Sequence, residues 1–129
     1  MTWEIDADEV RQILALPAGE RAVTFVQIVA DWEEAWGLKD AAGWIVARES
    51  DALPLWPHFA FAEACARGAW EGAAPEAMSL GELLEDLLPL LAEDGLAVAV
   101  FPVPEDAGVV MPPGELRDRL EVELEIGKW

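Results

Sequence analysis

The sequence predicts an α+β fold: one small domain in which a largely antiparallel sheet of about five strands packs against four to five helices. Three observations carry this. Segments of helical and of strand periodicity come in groups rather than in strict alternation, which argues against a parallel βαβ sheet. The run Leu96-Ala97-Val98-Ala99-Val100-Phe101 is continuously apolar, the pattern of a strand covered on both faces and central in its sheet. A chain of 129 residues that is 53% hydrophobic is long enough to bury one core without covalent staples. There are no internal repeats, no low-complexity tracts and no second domain, so residues 1–129 form a single unit.

The elements follow in order. Asp6 to Leu16 reads as a first helix, with Val10, Ile13 and Leu14 at i, i+3, i+4 and acids in the first turn, where the helix dipole favours them. Pro17 and Gly19 break it. A second helix runs from about Glu20 to Ala30, its stripe formed by Phe25, Ile28 and Val29 and extended by Trp32. Trp32 and Trp36 stand four apart, a spacing that shares a face in a helix and in a strand alike. The Gly37 that follows favours a strand from about Trp32 to Leu38. Lys39 to Ala42 is then a turn, Gly43 to Arg48 its partner strand, and Glu49-Ser50-Asp51 a second turn. Leu53 to Trp56 is a short third strand, which its prolines confine to an edge or an irregular end.

His58 to Arg67 reads as a helix stopped by Gly68. Ala69 to Pro75 reads as a loop anchored by Trp70. Ser79-Leu80-Gly81-Glu82 is a capping box that opens a leucine-rich helix, in which Pro89 must produce a kink or a new start. Asp94-Gly95 ends that helix. Val109-Val110-Met111 returns beside the apolar strand as its antiparallel partner. Pro112-Pro113 opens a last helix to about Ile126, lined by Leu116, Leu120 and Leu124.

Charge sets the limits on function. The net charge is −18, and a field of that sign repels nucleic-acid phosphates and anionic lipid headgroups. The eight basic residues are scattered and leave no nucleic-acid footprint. A basic protein is the partner such a surface suits. The single cysteine, Cys65, cannot form an internal disulfide, which fits a reducing, cytoplasmic setting. Met1 to Asp6 shows no basic patch followed by an apolar run, so no signal peptide is expected. Lys128-Trp129 matches no targeting signal, and no apolar stretch approaches membrane-spanning length.

Candidate chemistry is sparse. Leu53-Pro54-Leu55-Trp56-Pro57-His58 holds the only histidine and one of seven tryptophans, in a chain without tyrosine. Cys65 follows His58 by two helical turns, too far to share a metal or form a dyad. His58 therefore reads as a helix cap or a neighbour of Trp56, and Cys65 as a small core residue. Glu33-Glu34 flank the Trp32–Trp36 pair, but proximity of that kind arises by chance in a chain with 26 acids. No phosphate-binding glycine loop, nucleophile elbow or metal-ligand spacing occurs. Ser50 and Ser79 are the only serines, and Ser79 serves as a cap, so a hydrolytic triad has no place. The reading is thus no catalytic residue, no cofactor and no metal. Tryptophan is a favoured interface residue. Trp36, Trp56, His58 and Trp70 are the candidates for a ligand or interface site, with Trp32, Trp44 and Trp56 expected to be mostly buried and Trp3, Trp70 and Trp129 partly exposed.

The order of these segments is also informative. Glu20-Arg21, Trp36-Gly37-Leu38, Gly43-Trp44, the Leu53–His58 string, the Ser79-started helix and Asp94-Gly95 before Val98-Ala99-Val100-Phe101-Pro102 together resemble the bacterial domain of unknown function 2750 family. The likeness spans roughly residues 10 to 125. From the leucine-rich helix onward the chain is also loosely similar to enhanced serine sensitivity protein B. The family resemblance implies a small cytoplasmic bacterial protein and brings no activity, ligand or catalytic residue with it. The sequence thus points first to a non-enzymatic interaction module with an acidic surface, inhibitor-like or immunity-like in one version. The alternative is a small-ligand-binding protein or minor enzyme with a pocket near Trp56 and His58. Oligomeric state is not legible.

Overall fold

Trp36 and Trp56 exchange backbone hydrogen bonds, each N–H donating to the other's carbonyl at 2.8 Å, and through this bridge two sheets meet. The structure is a computed structural model and describes residues 4–126; the expectations for Trp3 and Trp129 lie outside that range. In chain order the elements are α1 (Ala7–Leu14), α2 (Ala18–Trp32), β1 (Glu34–Asp40), β2 (Gly43–Trp44), β3 (Ala52–Leu55), α3 (Phe59–Cys65), a 3₁₀ turn (Gly68–Trp70), β4 (Ala74–Ser79), α4 (Leu80–Glu82), a π-helical turn (Leu83–Leu87), α5 (Leu88–Glu93), β5 (Ala97–Val100), β6 (Val109–Met111) and α6 (Pro113–Ile126). This is a small α+β domain. Its strands form two three-stranded sheets, ordered β2-β1-β4 and β3-β5-β6, rather than one sheet of about five.

The first sheet is antiparallel throughout, with Trp36 opposite Ala77 and Lys39 opposite Trp44. In the second, β5 is central, as its unbroken apolar run requires. It pairs antiparallel with β6 and parallel with β3. Pro54 is tolerated because β3 is an edge strand, where one face of its backbone has no ladder to serve. Phe25, Val29, Leu55, Trp56, Phe61, Val98, Phe101, Leu116 and Leu120 lie at the centre of the core.

Two helix signals act as the sequence suggests. Asp6 caps α1 by accepting from Glu9 N–H at 2.8 Å. Ser79 and Glu82 form both arms of the capping box. The leucine-rich segment then runs without a break from α4 through the π turn into α5. Pro89 lacks an N–H, and the chain meets this by widening one turn, so that Leu88 N–H bonds to Leu83 O five residues back.

Three expectations are corrected. Trp32 is the last residue of α2 and is 41% exposed. The helix ends only at Glu33, whose left-handed backbone (φ 55°) turns the chain into β1, so Trp32 and Trp36 straddle a boundary instead of sharing a face. The strand expected from Gly43 to Arg48 is two residues long; beyond Trp44 only Ala47 pairs again, with Ala52. The Ala69–Pro75 segment, expected as a loop, holds the last two residues of the 3₁₀ turn and the first two of β4. β4 escapes notice because it is an edge strand in which Met78 is the sole fully buried residue, so it lacks an apolar alternation.

Candidate functional site

All six residues of Leu53–His58 are buried. Leu53 and Leu55 belong to β3, Trp56 leaves the strand to bridge Trp36, and His58 stops the chain in extended backbone and caps α3. Its Nδ1 accepts from Ala60 N–H at 3.0 Å, and its ring meets Phe61 edge-on at 6.3 Å. At 9% exposure His58 is structural in position.

The tension in the molecule sits opposite this segment, at the end of β5. Phe101 has φ 55°, a left-handed conformation that costs a bulky side chain about 1–3 kcal/mol and persists only where the surroundings over-determine it. Here they do. Phe101 N–H bonds to Leu55 O at 2.9 Å. Phe101 O accepts from Arg21 Nε at 3.0 Å. The next carbonyl, Pro102 O, accepts from Trp56 Nε1 at 2.8 Å and from Cys65 Sγ at 3.4 Å. Arg21 also donates from Nη1 to Leu16 O at 2.6 Å, and its Nη2 lies 3.6 Å from Asp106 Oδ1. Asp106 in turn accepts from Gly108 N–H at 2.8 Å. Gly108 is at φ 78°, and a Cβ there would sit 2.5 Å from Val100 O. The 101–108 loop is therefore clamped at both ends.

This clamped loop walls a groove of about 620 Å³. Trp70, Arg67, Ser50, Cys65 and Glu105 line it, together with Asp106. Trp70 stands edge-on to Trp56 at 6.1 Å and 79°. Since Trp56 is wholly buried and tethered to Pro102, it fixes Trp70 from behind. Of the four candidates, Trp70 alone lines this groove, and Trp56, wholly buried, packs behind it. Trp36 and His58 do not line it; Trp36 packs edge-on against Phe59 at 5.6 Å and donates to Glu34 Oε1 at 2.9 Å.

Burial pushes the Cys65 thiol up to about 11, so at neutral pH it is a poor nucleophile. Among the described residues no group of three His, Cys, Asp or Glu side chains is placed to hold a metal ion. The groove offers an aromatic edge, one cation and several carboxylates for binding. Sequence reasoning missed Arg21, Arg67 and Asp106. For Arg21 a signal existed: it precedes Phe25 by four residues and so falls on the buried stripe of α2.

Fold and site define a small two-sheet α+β domain whose only histidine caps a helix and whose only cysteine packs in the core. The family model described as a protein of unknown function (DUF2750) matches residues 22–120, from α2 into α6, and the chain belongs to that family. No curated protein and no solved structure matches it.

Proposed function

We propose that this protein is a non-enzymatic interaction module whose acidic surface engages a basic protein. The observation that carries the reading is the distribution of charge. A net −18 is spread over 7210 Å² of surface, about one net charge per 400 Å². Among the described residues, five basic side chains are held in pairs within the molecule: Arg11–Asp8, Arg21–Asp106, Lys39–Glu76, Arg117–Glu121 and Arg119–Glu115. The remaining field is negative, and it steers a cationic partner while repelling polyanions and a second copy. An inhibitor or immunity-like role is one version, in which the domain covers a basic functional surface of its target.

The test is capture of partners on the immobilised full chain at low salt, followed by elution with rising salt and identification by mass spectrometry. The expected partner is basic and is released by about 0.5 M salt, where the screening length falls to a few ångströms. A partner that is acidic, or that stays bound unchanged at high salt, defeats the reading. The Trp70 groove supports a second reading, a small-ligand pocket. A ligand that binds there should perturb Trp70 fluorescence, and Trp70→Phe should abolish the response.

A further inference from the structure

Helices α2 and α6 pack side by side and leave a groove of about 380 Å³ between them. Val23, Val26 and Val122 form its walls, and Asp118, Arg119 and Glu123 its rim. Val23 is 53% exposed and Val122 58% exposed, and Ile126, one helical turn beyond Val122, is 60% exposed. Isolated exposed valines need no explanation, but these converge on one concave strip. The two helices, of 15 and 14 residues, run for about 20 Å each, long enough to seat a third helix along the seam.

The charges on α6 say what kind of helix. Arg117 is paired with Glu121 and Arg119 with Glu115, so both arginines of α6 already have a carboxylate partner on their own helix. Asp118 and Glu123 leave its rim acidic. A second copy of this chain would bring another −18 against that rim, which opposes self-association. A basic chain brings the complementary charge.

We infer that the α2–α6 groove docks a basic amphipathic helix of a partner protein. Apolar residues spaced i, i+3 or i+4, and i+7 would lie on Val23, Val26 and Val122, with Lys or Arg facing Asp118 and Glu123. This rests on the basic-partner reading and names the surface that serves it.

The probe is a labelled synthetic peptide of about 16 residues, with leucine at those spacings and lysine elsewhere. It is titrated against the full chain by fluorescence anisotropy. Val23→Asp and Val122→Asp are compared with wild type, and thermal unfolding confirms that these exposed sites leave the fold intact. Each substitution adds a negative charge, so attraction by the field alone makes binding tighter, whereas loss of an apolar seat makes it weaker. The expected result is a loss of about tenfold or more for each aspartate variant and no change for Val110→Thr, an exposed change on β6 outside the groove. Unchanged or tighter binding by the aspartate variants overturns the groove and leaves the acidic-surface reading standing. Equal affinity for a leucine–glutamine peptide without lysine overturns both. A wild-type dimer in sedimentation velocity that Val122→Asp dissociates assigns the groove to a second copy and overturns the proposal.

Discussion

Arg117 on α6 donates from Nη1 to the carbonyl of Leu84 at 3.1 Å, and that carbonyl is one the local helix leaves without a donor. Leu88 N–H, its α-helical partner, bonds to Leu83 O in the π turn. The next candidate along the chain is residue 89, a proline with no N–H. Arg117 thus completes a backbone defect that Pro89 creates, and it ties α6 to the leucine-rich helix in doing so. Arg117→Met should lower stability by about 1–2 kcal/mol, toward the low end for a hydrogen bond from a charged donor because this one is exposed to solvent. With Pro89→Ala a backbone donor reaches Leu84 O again, whether the π turn persists or relaxes to α-helix. In that background Arg117→Met should cost less than half as much. Urea unfolding of the four proteins checks this, and strictly additive effects would show that Arg117 does not serve the proline defect.

What could be read from the sequence has a common character. The β5 run, the Ser79 capping box, the proline start of α6 and the placement of Trp56 in the core depend on neighbours within a few residues, and local chemistry states them. Pro89 announced a disturbance, but the group that repairs it lies 33 residues from Leu84. β4 was hidden because an edge strand with one buried side chain has no period to detect. The site divides in the same way. Trp56 and Trp70 were legible as candidates, while the Phe101–Pro102 corner was not. Its partners Cys65, Trp56 and Arg21 are 37, 46 and 80 residues distant, and no local pattern marks Phe101 for a left-handed turn.

Arg21 is the principal clamp of that corner. It is 3% exposed and reaches Phe101 O, Leu16 O and Asp106. Arg21→Met keeps the apolar stem and removes the donors, leaving two carbonyls without their partner and Phe101 with one restraint fewer. A loss of about 2–4 kcal/mol follows. The 101–108 loop should also exchange its amide hydrogens faster, Val103 and Asp106 foremost, since their N–H groups bond across the loop. Hydrogen exchange by mass spectrometry reads this directly. Unchanged protection of the loop would mean that Trp56 and Cys65 hold the corner without Arg21.

Cys65 gives the fold a pH dependence whose sign is fixed by burial. The buried thiol holds its proton more tightly in the folded chain, with the pKa pushed up to about 11, than in the unfolded chain, where it is near the ordinary 9.0. Below pH 9 both states are protonated and the full stability is present. As pH rises through 9 to 11 the unfolded state ionises first, and stability falls by about 1–3 kcal/mol. Cys65→Ala should flatten that segment of the stability–pH curve, although it lowers the plateau by removing a core side chain. Iodoacetamide should modify the native protein far more slowly than the urea-unfolded one. Rapid native alkylation at neutral pH would show that the thiol is neither buried nor protonated.

Gly37 is required by a neighbour. A Cβ at this position would lie 2.9 Å from the ring of Trp44 and 3.7 Å from the methyl of Met78. Trp44 cannot swing aside at no cost, because Lys39 Nζ sits 4.9 Å over its ring and is itself fixed 3.0 Å from Glu76 Oε2. Gly37→Ala should therefore destabilise the first sheet by about 1–3 kcal/mol through overpacking, despite the better strand propensity of alanine. Replacing Trp44 with the smaller leucine opens the space, so the same glycine change in a Trp44→Leu background should become neutral or mildly stabilising. Denaturant midpoints for the two pairs decide it. A neutral Gly37→Ala in the wild-type background would show that the indole rotates freely and that the lysine above it exerts no hold.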